Sequence, residues 1–209
     1  VARIVGVQAE IIKNLYEKTL KKKRHAFFDG KKAFNLNIIG IRASANFTNL
    51  FDDSIVVIYR DGNRQWVVDT YEATTDPGKS SLGTPMNILG CAILVPGQYR
   101  STYKIDMHKG KYLALCQRLN DVKVYRDNNR NKKYDFDKST IEKGRFGINI
   151  HRASKAGDTK YINSWSAGCQ SFKNVNDFYK FMDTCQIAAD RFGNSFTYTL
   201  ICEEDLNGN

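Results

Sequence analysis

His151 and Cys169 are the two residues of this chain whose types and spacing could carry nucleophilic chemistry. Eighteen positions separate them, and the run into the cysteine is Ser166-Ala167-Gly168. A thiolate is a strong nucleophile at neutral pH when a neighbour lowers its pKa, and an imidazole does that. The slight bulk of Ser166, Ala167 and Gly168 leaves room for a substrate carbonyl at the sulfur. A turn that aims two backbone N–H groups at that carbonyl would form an oxyanion hole. Taken alone, one cysteine and one histidine also fit a structural pair, because most free cysteines are small buried hydrophobes.

The rest of the chain must position them. At 209 residues it is long enough for one large domain, or one domain with an appendage, and for a core that needs no metal or disulfide staple. A hydrophobic content of 42% and a charged content of 26% are ordinary for a soluble globular protein. The 32 Lys and Arg residues against 22 Asp and Glu give a net charge of +10. That charge attracts a polyanion such as nucleic acid, an anionic membrane or a cell wall, although scattered lysines also serve solubility alone. No zinc spacing and no aromatic–basic RNA-binding run accompany it, so a nucleic-acid partner is not expected.

Five cysteines (Cys91, Cys116, Cys169, Cys185 and Cys202) cannot all pair within the chain, and none forms a C-x-x-C. The simplest expectation is one working thiol and four buried ones. No stretch reaches the length of an apolar membrane span. Residues 1–20 lack the apolar core of a signal peptide, and a chain that begins with Val fits a processed or partial form.

Periodicity predicts a helix over 7–24, with Val7, Ile11, Ile12, Leu15, Tyr16 and Leu20 as its apolar positions and Lys21 to Arg24 in its last turn. Strands are predicted over 35–42, 54–60, 65–71, 90–95, 99–107, 112–119, 122–126, 146–151 and 195–202. Asp61-Gly62 is a hairpin signal, and 72–85 reads as a loop. A second helix is predicted over 174–192, ended by Gly193, with Cys185 on its apolar stripe. Asp127, Asn129 and Asn131 have the opening spacing of a calcium loop. Lys132 and Lys138 stand where such a loop needs Gly and Glu, so 127–137 reads as a polar turn. The expected fold class is a β-rich α+β domain, a sandwich or partly open barrel with flanking helices.

The ordered motifs resemble the L,D-transpeptidase, or YkuD-like, catalytic domain. That family carries a histidine, fourteen to seventeen residues, then Ser/Thr-His-Gly-Cys. Here fourteen residues separate His151 from Ser166-Ala167-Gly168-Cys169. The strand before the histidine, the pair around Asp61-Gly62, and the segments Thr74-Thr75-Asp76-Pro77-Gly78 and Gly83-Thr84-Pro85-Met86-Asn87 follow in the family's order. The similarity covers roughly 53–173. Two positions depart from it: Ala167 stands where the family has a second histidine, and Ser171 where it commonly has an arginine.

The resemblance implies a catalytic domain over 51–209 with an extension over 1–50. It implies acyl transfer on peptidoglycan stem peptides, with Cys169 as nucleophile, His151 as base and Ser166 and Gly168 shaping the nucleophile turn. The backbone N–H groups of Gly168 and Cys169 are the expected oxyanion donors. Arg152, Trp165, Tyr99 and Gln170 are the expected substrate contacts, with Arg100 and Tyr103 as further lining or packing residues. The group orienting His151 is expected among Asn149, Ser154, Asn163 and Ser166, and His108 is expected in a surface turn. No metal or organic cofactor is implied. The implied partners are stem peptides and an anionic cell wall, reached from the periplasm, a virion or an injected effector. The alternative expectation is an inactive wall-binding or virion module of the same fold. The oligomeric state is not legible.

Overall fold

The computed structural model describes residues 1–45 and 47–207. The chain opens with β1 (Ala2–Val5) and α1 (Val7–Lys22), then the strands β2 (Asn37–Arg42), β3 (Asp53–Arg60) and β4 (Trp66–Thr74). The short helix α2 (Lys79–Gly83) leads to β5 (Cys91–Leu94), β6 (Gly97–His108), β7 (Tyr112–Gln117) and β8 (Val122–Asp127). A 3-10 turn at Lys138–Thr140 precedes β9 (Glu142–Gly144), β10 (Ile150–Arg152) and β11 (Gln170–Phe172). Helix α3 (Val175–Phe192), β12 (Phe196–Cys202) and α4 (Glu204–Asn207) finish it.

Eight strands run in the order β4-β11-β10-β7-β6-β12-β2-β3, and β3 pairs back onto β4. The ring is a closed barrel, with β1 added to the free half of the β4 edge, rather than a sandwich or a partly open barrel. Closure removes the exposed edges that an open sheet would have to protect. β5, β8 and β9 form a separate three-stranded sheet.

The apolar run of β3 explains the layering. Ile55, Val57 and Tyr59 enter the barrel core, while Val56 and Ile58 join an outer cluster with Ile39, Ile41, Trp66, Val68 and Ile201. A strand buried on both faces needs apolar residues at every position, not at alternate ones. Helix α1 covers the outer cluster through Ala9, Tyr16 and Leu20. Lys13 lies on the same face, with its ammonium 5.0 Å from the Trp66 ring and paired with Glu17. Of the residues expected to form the buried stripe, Val7, Ile11 and Leu15 instead face solvent.

Inside the barrel core, α3 sets Phe178, Phe181 and Cys185 against Tyr71 and Phe172. The Phe172 and Phe181 rings lie 4.9 Å apart. Asn174 caps this helix by accepting from the N–H groups of Asn176 and Asp177, and Gly193 follows its end at φ 91°. The boundary expected near residue 50 falls in the connection between β2 and β3, which are antiparallel neighbours in one sheet. No helix among the described residues is long and apolar enough to cross a membrane.

Candidate active site

The nucleophile and the histidine meet because β10 and β11 are parallel neighbours. Ile150 pairs with Gln170 and His151 with Ser171. Side chains alternate along a strand, so Cys169, two before Ser171, shares its face with His151 and with Asn149. Hydrogen bonds from Gln170 N–H to the Asn149 carbonyl (2.9 Å) and from Ala153 N–H to the Phe172 carbonyl (3.0 Å) hold this register.

The turn before Cys169 is built for close approach. Gly168 has φ 118°, and a Cβ there would sit 2.1 Å from the Ala92 carbonyl oxygen. Only glycine fits both constraints. Ser166 closes the turn from beneath: its hydroxyl accepts from Gly168 N–H (3.1 Å) and donates to the Cys169 carbonyl (2.8 Å). Its own carbonyl takes Gly78 N–H (2.9 Å) and the Ser81 hydroxyl (3.0 Å), tying the nucleophile turn to the start of α2. Ser166 is therefore a positioning residue. The Gly168 N–H, expected as an oxyanion donor, is occupied by the Ser166 hydroxyl, whereas the Cys169 N–H has no partner among the described residues.

The Cys169 sulfur accepts from Asn149 N–H at 3.4 Å and donates to the Gly147 carbonyl at 3.4 Å. Burial raises the thiol pKa, opposed by the Asn149 N–H and by the charge of Lys109. His151 Nδ1 lies 2.7 Å from the Arg152 carbonyl oxygen, which can only accept. Nδ1 therefore carries the proton, and Nε2 holds a lone pair. Tyr112 buttresses this contact, with its hydroxyl 3.4 Å from Nδ1 and donating to the same carbonyl at 3.3 Å. The orienting group is thus the backbone next door and a tyrosine, not Asn149, Ser154, Asn163 or Ser166. Burial first, and then the neighbouring His108, push His151 down to about 3. The resting pair at neutral pH is a thiol and a neutral imidazole.

His108 is not on a surface turn. It is buried at the end of β6, its ring stacked on His151 with centroids 4.3 Å apart. Asn149 sets its tautomer. The Asn149 Oδ1 accepts from Gln117 N–H (2.9 Å), which leaves Nδ2 to donate to His108 Nδ1 (3.1 Å). The remaining proton of His108 is then on Nε2. Burial, followed by Lys109, Arg118 and Arg152, holds His108 down at about 4.

Cys169, His151, His108 and Asn149 line one cleft of about 1090 Å³. Trp165 lines it too, partly exposed, as expected of a substrate contact. The other expected contacts do not. Tyr99 is buried and donates its hydroxyl to the Val95 carbonyl at 2.5 Å. Gln170 is fully buried, donating to the Thr75 carbonyl (3.2 Å) and accepting from the Tyr198 hydroxyl (2.7 Å). Strand alternation turns it inward, away from the face of Cys169. Arg152 lies with its guanidinium 4.1 Å from the Tyr112 ring centroid, and only its carbonyl serves the site. Tyr103 packs against Tyr198 in the core, and Arg100 lies over Phe28.

All five cysteines are free; Cys91, Cys116 and Cys185 are buried, while Cys169 and Cys202 are half-buried. In the segment 127–137, Asn129 Oδ1 accepts from Asn131 N–H and Asn131 Oδ1 from Lys133 N–H, so these oxygens make turns of their own backbone. Among the described residues no group of three His, Cys, Asp or Glu side chains could hold a metal. No family model, curated protein or solved structure matches the chain.

Proposed function

We propose that the protein is a cysteine-dependent acyltransferase or peptidase acting on peptidoglycan stem peptides, a divergent L,D-transpeptidase-like domain working at the cell wall. The observation that carries this reading is the neutral His151 imidazole, its Nδ1 proton tied to the Arg152 carbonyl and its Nε2 left as a base, in the same cleft as the Cys169 thiol.

In this scheme Cys169 attacks the carbonyl of the L-centred residue, at its bond to a terminal D-amino acid. The thiol proton passes to His151 Nε2 as the C–S bond forms. The Cys169 N–H and the His108 Nε2–H are the donors left open for the oxyanion. The imidazolium then protonates the leaving amine, the C–N bond breaks and a thioester remains. An acceptor amine turns the thioester into a cross-link, and water turns it into a carboxylate. His108 stands in the cleft although Ala167 replaces the family's second histidine, so the cleft keeps two imidazoles.

A second reading, an inactive wall-binding module, is favoured by one observation: the thiol is held on the Gly147 carbonyl and the Gly168 N–H on Ser166. Incubating wild type and Cys169→Ala with stem peptides and following peptide mass separates the two. Loss of a terminal D-amino acid, or a cross-linked product, in wild type alone supports acyl transfer. Unchanged peptides across several stem chemistries favour the binding module.

A further inference from the structure

The charged side chains lining the cleft are all of one sign. Lys79, Lys109, Arg126, Lys132 and Arg145 line it, and among the described residues no Asp or Glu does. They come from five separate places in the chain: the start of α2, the β6–β7 turn, β8, the segment 127–137 and the residue after β9. This is convergence in space, not a run in sequence. The basic run at residues 21–24 contributes nothing to it.

Two of the five are already paired. Arg126 meets Glu142 at 2.7 Å and Arg145 meets Asp121 at 3.8 Å. Lys79, Lys109 and Lys132 have no ion pair among the described residues, and all three are exposed. Lys109 is close enough to the dyad to pull the Cys169 thiol and the His151 imidazole both downward. A cleft lined by one sign of charge focuses its field and concentrates counter-ions at its base. Here the base holds the thiol.

Two of these lysines occupy backbone that lysine rarely adopts. Lys109 has φ 51° and Lys132 has φ 63°. At such positions Asn or Gly is the ordinary choice. Fold stability therefore does not explain why lysine stands there.

We infer that the cleft selects acyl donors carrying several free carboxylates, and that Lys79, Lys109 and Lys132 are the groups that recognise them. This rests on the acyl-transfer reading above. A thiol–imidazole site needs a carbonyl to attack, and on a peptide donor the accompanying anions are carboxylates. A phosphodiester chain offers no such carbonyl. It would also call for stacking faces, whereas the Phe, Tyr and Trp residues of the lining are Trp165 and Phe146, Phe146 lies under Arg126 at 4.7 Å, and the two histidine rings stack on each other.

The test measures binding apart from turnover. Cys169→Ser protein is titrated by calorimetry with a stem tetrapeptide bearing its free carboxylates, and with the same peptide carrying carboxamides in their place, at low and physiological ionic strength. The expected result is at least about tenfold tighter binding of the carboxylate form, because hydrogen bonds to charged groups are among the strong ones, with the preference reduced by salt. Lys109→Asn and Lys132→Asn suit the left-handed backbone, so each keeps the fold while losing a charge. Each is expected to weaken binding of the carboxylate peptide severalfold and to leave the amidated peptide unaffected. Equal affinity for the two peptides, or no binding of either, would overturn the inference. So would tighter binding of a single-stranded oligonucleotide. Selective binding without turnover by wild type would overturn acyl transfer and leave the carboxylate preference standing.

Discussion

Two buried polar clusters lie on either side of Thr75, and they differ in what they leave unfinished. In one, Arg42 pairs with Asp76 (2.8 Å) and donates to the Leu94 carbonyl (3.0 Å). Asp53 accepts from Ala43 N–H, Thr75 N–H and the Thr75 hydroxyl. In the other, Cys169, His151 and His108 are held on one side by backbone and Asn149, while both Nε2 atoms lack a partner among the described residues. Gln170 joins the clusters, donating to the carbonyls of Thr75 and Gly168. The first cluster is ion-paired, buried and outside the cleft lining. The second is neutral and open on the cleft. Buried polar groups that are fully partnered stabilise a structure, whereas half-partnered ones facing a cavity keep chemistry in reserve.

That contrast can be tested on both sides. The largest effect is expected on the open side. Cys169→Ala abolishes turnover with stability almost unchanged in urea melts, and His151→Ala lowers kcat of the folded fraction by about 10²–10⁴-fold, the range for a general base. On the closed side, Arg42→Met leaves Asp53 and Asp76 without their cation. It is expected to cost about 3–5 kcal/mol of stability, read as a fall in the urea midpoint, with kcat retained by the folded fraction. A loss of kcat without a loss of stability would erase the distinction.

A smaller effect concerns pH. His108 and His151 titrate at about 4 and about 3 in the folded state, below their ordinary 6.5. Between those values the unfolded chain binds more protons, so both residues remove stability as pH falls from about 6.5 towards 3. Asp53 works in the opposite sense, because burial and Asp76 raise its pKa. The fall in melting temperature from pH 7 to pH 4 should therefore be shallower in His108→Gln than in wild type. Loss of the His108 Nε2–H should also lower kcat about tenfold or more, as removing one oxyanion donor does. The smallest effect is on thiol labelling. With no ion pair at rest, the Cys169 alkylation rate should rise with pH through the raised thiol pKa, with no plateau between pH 4 and 8 (Cys169→Ala separates it from Cys91, which also lines the cleft).

Sequence patterns were most informative where a single residue type decides the matter. Cys169, His151 and the small-residue turn stand out because few residue types do that chemistry, and strands such as β3 stand out because β-branched residues run unbroken. The rest depended on information that residue types do not carry. His151 is oriented by a carbonyl, and every residue has one, so no side-chain search finds it. His108 sits beside Lys109-Gly110, which reads as a turn; that the turn folds over the dyad depends on β6 and β7 pairing with register His108–Tyr112. Strands β1, β9 and β11, of four, three and three residues, are too short for a period-two pattern. Gln170 was in principle legible, since alternation from Cys169 points it inward once β11 is recognised. On α1, Ala9 and Thr19 form the buried face beside larger residues, whereas hydrophobicity alone points to Val7, Ile11 and Leu15.

Acyl transfer at Cys169 is tested most simply by intact-mass spectrometry of the protein after brief exposure to a carboxylate-bearing stem peptide and an acid quench. The expected result is a mass increase equal to the acyl donor less its terminal D-amino acid. The adduct should map to Cys169, be absent in Cys169→Ala and be cleaved by hydroxylamine as a thioester. An unmodified Cys169 in the presence of consumed peptide, or an adduct on Cys91, would contradict it.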